Sequence, residues 1–335
     1  MRKIISLKKI DEIQLIEGAD KIVTAKIGGW TAVVKKDEFH QGDTVVYFEV
    51  DSVLPVEVPQ FAFLSSRGVK TVVNEKNEEV QGHVLKTMKL RGVVSQGLVL
   101  PVEDFGISKD SSQETIDEFF KNLGVFKYEP PLPNDGDVMG PFPSNARKTD
   151  SERVQNLTDE FLQSLNKNDW YASEKVDGTS STFTVIDGEL VVASRNWRVA
   201  YDKSIQGEIA KQFNLAEIMP EGSVIQGEIF GEGIQKNPLK VQGTHLLVFS
   251  ASSPVHSEEF DAFVKEHSVP VLDMILPDTV DEAVQQVYKM KSTVNPQVQA
   301  EGVVWWNRKG ETYAEIGDRA NFKAINNYYL MKHDG

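Results

Sequence analysis

Ser173-Glu174-Lys175-Val176-Asp177-Gly178-Thr179 is the stretch from which the rest of the chain can be read. A lysine followed two positions on by an acid and three positions on by glycine suits attack on phosphorus. Only the neutral amine can attack, and an ordinary lysine titrates at about 10.4. A metal or basic side chains nearby would lower that value. Asp177 is suited to holding a hydrated divalent ion, and Gly178, with no Cβ, would let the backbone approach a nucleotide closely. Taken alone, the four-residue pattern arises easily by chance. A strand end with a solvated lysine and a turn explains it more simply.

The residues downstream change that weighting. Ser194-Arg195-Asn196 is centred twenty residues after Lys175. Gln226-Gly227-Glu228-Ile229-Phe230-Gly231 comes next, then Leu247-Val248-Phe249-Ser250. Glu301-Gly302-Val303-Val304 and Phe322-Lys323-Ala324-Ile325-Asn326 complete the series. This order resembles the collinear motifs of the covalent nucleotidyltransferases, which comprise ATP-dependent RNA and DNA ligases and mRNA capping enzymes. The resemblance covers essentially all of residues 147–335, and five elements in order are far more specific than any one. The stretch from Gln226 to Asn237 resembles the long acidic motif of RNA ligases that join nicked duplexes. Lys148-Thr149-Asp150-Ser151-Glu152-Arg153-Val154-Gln155-Asn156 resembles the opening of that ligase domain.

The resemblance implies roles residue by residue. Lys175 would attack the α-phosphorus of ATP and form a lysyl–AMP. AMP would pass to an RNA 5′-phosphate, and a 3′-hydroxyl would then displace it. The catalytic set implied is Lys175, Asp177, Glu228, Glu301 and Lys323. Asp177, Glu228 and Glu301 would hold Mg²⁺ or Mn²⁺, directly or through water. The nucleotide would meet Glu174, Lys175, Gly178, Arg195, Glu228, Phe249, Glu301 and Lys323, with Phe249 stacking on adenine and Glu174 reading its amino group. Phe249 as plain core, and the two glutamates as solvated strand-edge residues, are the competing readings. The chain departs from a common pattern at Ile325, where some related ligases carry a second lysine. Lys309 and Lys332 are the candidate replacements. The remaining alternatives are a DNA ligase, a capping-type guanylyltransferase, or a catalytically silent RNA-binding homologue.

Upstream, residues 1–125 read as β-rich. Ile22–Ile27 and Trp30–Val34 flank Gly28-Gly29, a hairpin signal. Further strands are expected at 44–50, 82–88 and 97–101, and a helix at 112–123. About five short strands fit a small barrel. Residues 124–146 hold five of the chain's 14 prolines, so 126–146 is the expected linker. A barrel placed before the catalytic domain resembles the type 5 RNA ligases, in which an OB module comes first. The fold class expected is therefore α+β: an OB barrel, then a ligase domain at 147–335 built on antiparallel sheets with flanking helices. Helices are predicted at 151–165, 204–218, 257–267 and 279–291, with Thr279 and Glu282 forming a capping box. Strands are predicted at 181–187, 189–194, 224–230, 245–251, 302–306 and 313–316. In the barrel, Lys35, Lys36, Lys86, Lys89 and Arg91 are candidate RNA contacts, with Trp30 and Phe48 as stacking platforms; Arg153 is a further candidate. As a separable RNA-binding module, residues 1–125 would be needed for sealing and not for adenylylation.

The chain has 335 residues and no cysteine. Disulfides, thiolate zinc sites and cysteine nucleophiles are excluded. The six histidines show no metal-ligand spacing. No apolar run approaches the ~18–20 residues that span a bilayer, and the N-terminus lacks a signal-peptide pattern. A cytoplasmic monomer acting on nicked RNA duplexes is the expectation. The net charge of −14 argues against an RNA partner, because phosphate binding needs Lys and Arg. Residues 256–285 alone carry eight acids and one lysine, away from every motif. The total therefore reflects one acidic face.

Overall fold

The computed structural model describes residues 3–74, 76, 78–129, 137–317 and 319–333. Gly28 adopts φ 57°, which its missing side chain permits. The Gly28-Gly29 pair thereby turns Ile22–Ile27 back on Trp30–Lys35, in register from Ile22 opposite Lys35 to Ile27 opposite Trp30. Glu12–Leu15 completes that sheet. A second sheet sets Thr44–Phe48 between Ile5–Lys9 and Leu98–Pro101. Thr44–Phe48 is buried on both faces. Val46 and Phe48 enter one core with Phe61, Phe105 and Phe120. Val45 and Tyr47 enter another with Trp30 and Ile27. Ser112 caps the helix Gln113–Asn122 by accepting from the Thr115 N–H, as expected of a serine at that position. Ser52–Pro55, Glu79–Val84 and Lys70–Val73 form a third sheet.

Both ends of the expected linker lie in sheets. Phe126–Lys127 pairs with Ser52–Pro55, and Val138–Pro141 pairs with Trp197–Val199. Pro130, Pro131 and Pro133 lie outside the described residues.

The larger half holds two sheets. Six antiparallel strands run in the order Val138–Pro141, Trp197–Val199, Glu189–Ala193, Thr179–Ile186, Val224–Gly231 and Thr244–Ser252. Five run Glu152–Arg153, Asn321–Ile325, Gly302–Asn307, Trp170–Lys175 and Val271–Leu272. Alternate residues of a strand face opposite sides of its sheet. Trp170, Ala172, Val303, Trp305, Phe322 and Ala324 pack with the helices Asp159–Ser164 and Val280–Val287. Phe183, Ile225, Ile229 and Leu246 pack with Ile205–Gln212 and Glu258–His267. Each sheet thus has one helix-covered apolar face. The other faces, carrying Ser173, Lys175, Lys323, Ser180 and Glu228, meet as a polar cleft. Lys175 ends a strand of one sheet and Thr179 begins a strand of the other. The lysine-bearing stretch is therefore the crossing point.

Several expectations are corrected. The helix predicted at 151–165 is a strand at Glu152–Arg153, a 3₁₀ turn at Val154–Asn156 and a helix at Asp159–Ser164. The apolar spacing is real, since Val154, Leu157, Phe161 and Leu165 all reach the core. Parallel pairing of Glu152–Arg153 with Phe322–Lys323 overrides helical propensity, and the Thr158 cap starts the helix later. The helix 204–218 breaks at Asn214, whose φ is 52°. The helix 279–291 keeps its capping box and ends at Val287. Tyr313–Ile316 is a turn closed by a single bridge from Tyr313 to Gly317. No helix among the described residues is long and apolar enough to cross a membrane.

Candidate active site

Lys175 pairs in register with Gly302, which brings Glu301 beside it. The Lys175 ammonium donates to Glu301 Oε2 at 2.6 Å, and the side chains are 27% and 16% exposed. Gly178 serves the protein's own packing. A Cβ there would lie 2.2 Å from the Ile229 carbonyl oxygen, so glycine lets the crossing turn lie against strand Val224–Gly231. Glu228 sits on that strand opposite Ser180.

Burial alone would depress the Lys175 pKa, but Glu301, Glu228 and Asp177 outweigh it and hold the amine above its ordinary value. The sequence-based expectation of nearby positive charge is thus reversed in the protein alone, where Lys175 is an ammonium. Burial pushes the Glu228 carboxyl up to about 8; Lys175 opposes this, while Glu301 and Asp177 add to it. Asp177 accepts from the Tyr329 hydroxyl of the C-terminal helix Asn327–His333. Carboxylate oxygens of this kind suit Mg²⁺ or Mn²⁺. Among the described residues no three carboxylate or imidazole groups form a metal-binding cluster.

Glu174 is buried at 3% exposure. Its Oε2 accepts from the Thr293 backbone N–H at 2.6 Å and from the Thr293 hydroxyl at 2.5 Å. Its Oε1 is buried without a partner. An ionised carboxylate only accepts hydrogen bonds, so this oxygen lacks an N–H or O–H donor. Phe249 is half-buried and stacks on Trp306, with ring centroids 5.9 Å apart. Both line a cavity of about 380 Å³ together with Tyr171, Ser173, Val271 and Arg308.

Lys323 lies on Asn321–Ile325 opposite Val304 and is 8% exposed. Its ammonium donates to Asp150 Oδ1 at 3.2 Å. Arg195 donates to the same oxygen at 2.9 Å. Ile325 is buried, and Lys309 pairs with Asp169 at 2.7 Å, at the far end of the strand from Lys175. Lys332 lies over the Tyr328 ring. Neither candidate replacement is placed beside Lys323 by these contacts.

The barrel candidates divide. Lys35, Lys36, Lys89 and Arg91 are exposed and Lys86 is half-buried. Trp30 and Phe48 are fully buried, so neither presents a stacking surface. Arg153 is 6% exposed, paired with Asp51 at 3.2 Å and lying over the Trp30 ring. It closes the seam between the two halves and is not offered to solvent. Asn156 lies in the same seam, where its Oδ1 accepts from Trp30 Nε1 and Lys8 Nζ. Sequence reasoning missed Asp150, Thr293 and Tyr329. Asp150 stood inside a quoted motif; the other two had no local signal.

Family models match an OB-fold domain at residues 4–102 and an RNA ligase at residues 168–325. No curated protein matches the chain. Among solved structures, the Naegleria gruberi RNA ligase with pyrophosphate is 31% identical, with TM-score 0.80, covering 100% of this chain and 99% of that one. A mutant of that ligase with ATP and Mn is equally identical, with TM-score 0.81 and 100% of both chains covered. A mutant with AMP and Mn covers 99% of each chain, at TM-score 0.81 and 31% identity.

Proposed function

The chain belongs to the RNA ligase family, and from that premise we propose that this ATP-dependent ligase seals 3′-OH/5′-phosphate breaks in RNA duplexes through a lysyl–AMP. The observation that carries the reading is the Lys175 amine at a sheet crossing, 2.6 Å from Glu301, with Glu228 and Asp177 acting on the same charge.

Lys175 Nζ passes a proton to solvent by way of its Glu301 partner and attacks the α-phosphorus of ATP. The N–P bond forms, the bond to the pyrophosphate oxygen breaks, and pyrophosphate leaves. A hydrated divalent ion near Asp177, Glu228 and Glu301 would neutralise phosphate charge and favour the neutral amine. Glu301 orients the amine until its proton is lost. Lys323 and Arg195 supply positive charge for the phosphates. The 5′-phosphate oxygen of RNA then attacks the AMP phosphorus and restores the Lys175 amine. A 3′-hydroxyl oxygen finally attacks the activated 5′-phosphorus, its proton passes to solvent, and AMP leaves.

Glu174 supports the choice of ATP. Its unpartnered Oε1 would accept from the adenine amino group, whereas guanine presents a carbonyl oxygen there. Phe249 is the proposed stacking partner of the base. The exposed barrel cations are proposed to track RNA phosphates, within a soluble cytoplasmic monomer.

The test is sealing of labelled nicked duplexes carrying RNA or DNA on the 3′-hydroxyl side, with ATP, GTP or NAD. Sealing with ATP and an RNA 3′-hydroxyl strand is expected. Absence of both sealing and any adenylylated strand would contradict the reading.

A further inference from the structure

The stretch Lys148–Asn156 opens the catalytic domain, yet its acid at 150 has no part in the chemistry above. Asp150 Oδ2 accepts from Lys127 Nζ at 2.8 Å. Asp150 Oδ1 accepts from Arg195 Nη2 at 2.9 Å and from Lys323 Nζ at 3.2 Å. These three cations come from three separate parts of the fold. Lys127 is on the strand paired with Ser52–Pro55. Arg195 follows Glu189–Ala193 of the six-stranded sheet, and Lys323 is in the five-stranded sheet. Glu129 adds a second anion, at 3.1 Å from Lys127 and 3.2 Å from Arg195. Asp150 is 19% exposed, Lys127 16% and Lys323 8%.

Like charges held this close in partly buried surroundings repel, and an anion among them removes the penalty. A carboxylate offers two acceptor oxygens; a phosphate offers more oxygens and more charge in similar geometry. We infer that Asp150 is a positioning residue that gathers Lys127, Arg195 and Lys323 and competes for them with the phosphate oxygens of the substrate. It rests on the reading of Lys323 and Arg195 as phosphate-handling cations. Removing its charge should therefore have two opposed effects. Phosphate anions lose a competitor and bind more tightly, while the cations lose their alignment and turnover falls. A residue serving stability alone would weaken both.

The experiment uses full-length wild type, D150N, D150E and K323A, with inorganic pyrophosphate binding by calorimetry and ATP-dependent adenylylation kinetics. For D150N, pyrophosphate binding about three- to tenfold tighter is expected, with kcat lowered about tenfold or more and KM for ATP unchanged or lower. D150E keeps the charge but shifts it by one methylene. Its pyrophosphate affinity should stay within about twofold of wild type while kcat falls. Unchanged or weaker pyrophosphate binding in D150N, or an unchanged kcat, overturns the inference; if D150N does not fold, an unchanged kcat in D150E does so. K323A separates the two levels. If it binds pyrophosphate as well as wild type, the phosphate reading of that lysine fails. If it loses binding while D150N matches wild type, only the role of Asp150 fails.

Discussion

At the residue scale, Lys175 and Glu228 both titrate above their ordinary values, so the proposed reaction has protons to remove. In the folded chain the Glu228 carboxyl titrates at about 8, against an ordinary 4.5. Folding favours its protonated form, so this stabilisation is complete below about pH 4.5 and is lost as pH rises through about 8. The raised Lys175 pKa acts at more alkaline pH, because its stabilisation persists up to the ordinary amine value of 10.5. Melting temperature without metal should therefore fall between about pH 4.5 and about pH 8, and E228Q should flatten that fall. An identical pH slope in E228Q would show that Glu228 titrates normally. Adenylylation should speed up over the same range, and divalent metal should move the profile to lower pH. At Glu174, replacing one acceptor oxygen by an NH₂ donor removes a reason to prefer adenine. E174Q should lose about tenfold or more of the ATP-over-GTP preference, measured as the ratio of adduct formation rates.

At the element scale, the strands and their junctions were the legible part. Gly28-Gly29 marked a hairpin, Ser112, Ser257 and Thr279 marked helix starts, and the Lys175–Gly178 stretch marked a strand end. The segment 151–165 reads as one helix because the spacing of Val154, Leu157, Phe161 and Leu165 suits both a helix and a 3₁₀ turn followed by a short helix. What decided the outcome was pairing with residues about 170 positions away, which no local pattern reports. The site divides in the same way. Lys175, Glu228, Glu301, Arg195 and Lys323 sat in ordered motifs. Thr293 and Tyr329 reach Glu174 and Asp177 across 119 and 152 residues, as single polar side chains with no repeat around them. The seam element carries its own prediction. Asn156 Nδ2 donates to Glu49 and Glu152, so its amide satisfies groups from both halves. N156A should cost about 1–3 kcal/mol by leaving those groups without their partner, measured by denaturant unfolding. A change within about 0.5 kcal/mol would place it with surface residues.

At the scale of the whole molecule, the seam changes the expected role of the N-terminal domain. Gly29 lies so close to the catalytic half that a Cβ would come within 2.6 Å of Gln155 Cα and Val280 Cγ1. Its backbone N–H donates to the Gln155 carbonyl at 3.2 Å. Glu152–Arg153, in the same segment, is the strand paired with Phe322–Lys323. Deleting residues 1–125 would strip Trp30, Asp51 and Lys8 from the support of the strand beside Lys323. Adenylylation should fall together with sealing, against the separable module expected from sequence. Adenylylation at the full-length rate in the truncated chain would restore the separable view. The net charge of −14 is also less adverse than its size suggests. Within the acidic stretch, Asp281 pairs with Lys26 and Asp278 with Lys167. RNA binding through the exposed barrel lysines should weaken steeply as salt rises.

In the proposed reaction Lys175 is the AMP carrier. The direct measurement is intact-mass and peptide-mapping analysis of the purified chain after incubation with ATP and Mn²⁺ or Mg²⁺. The expected result is one AMP per chain, attached at Lys175 and absent from K175A. An adduct on another residue, or one that persists in K175A, would contradict the account.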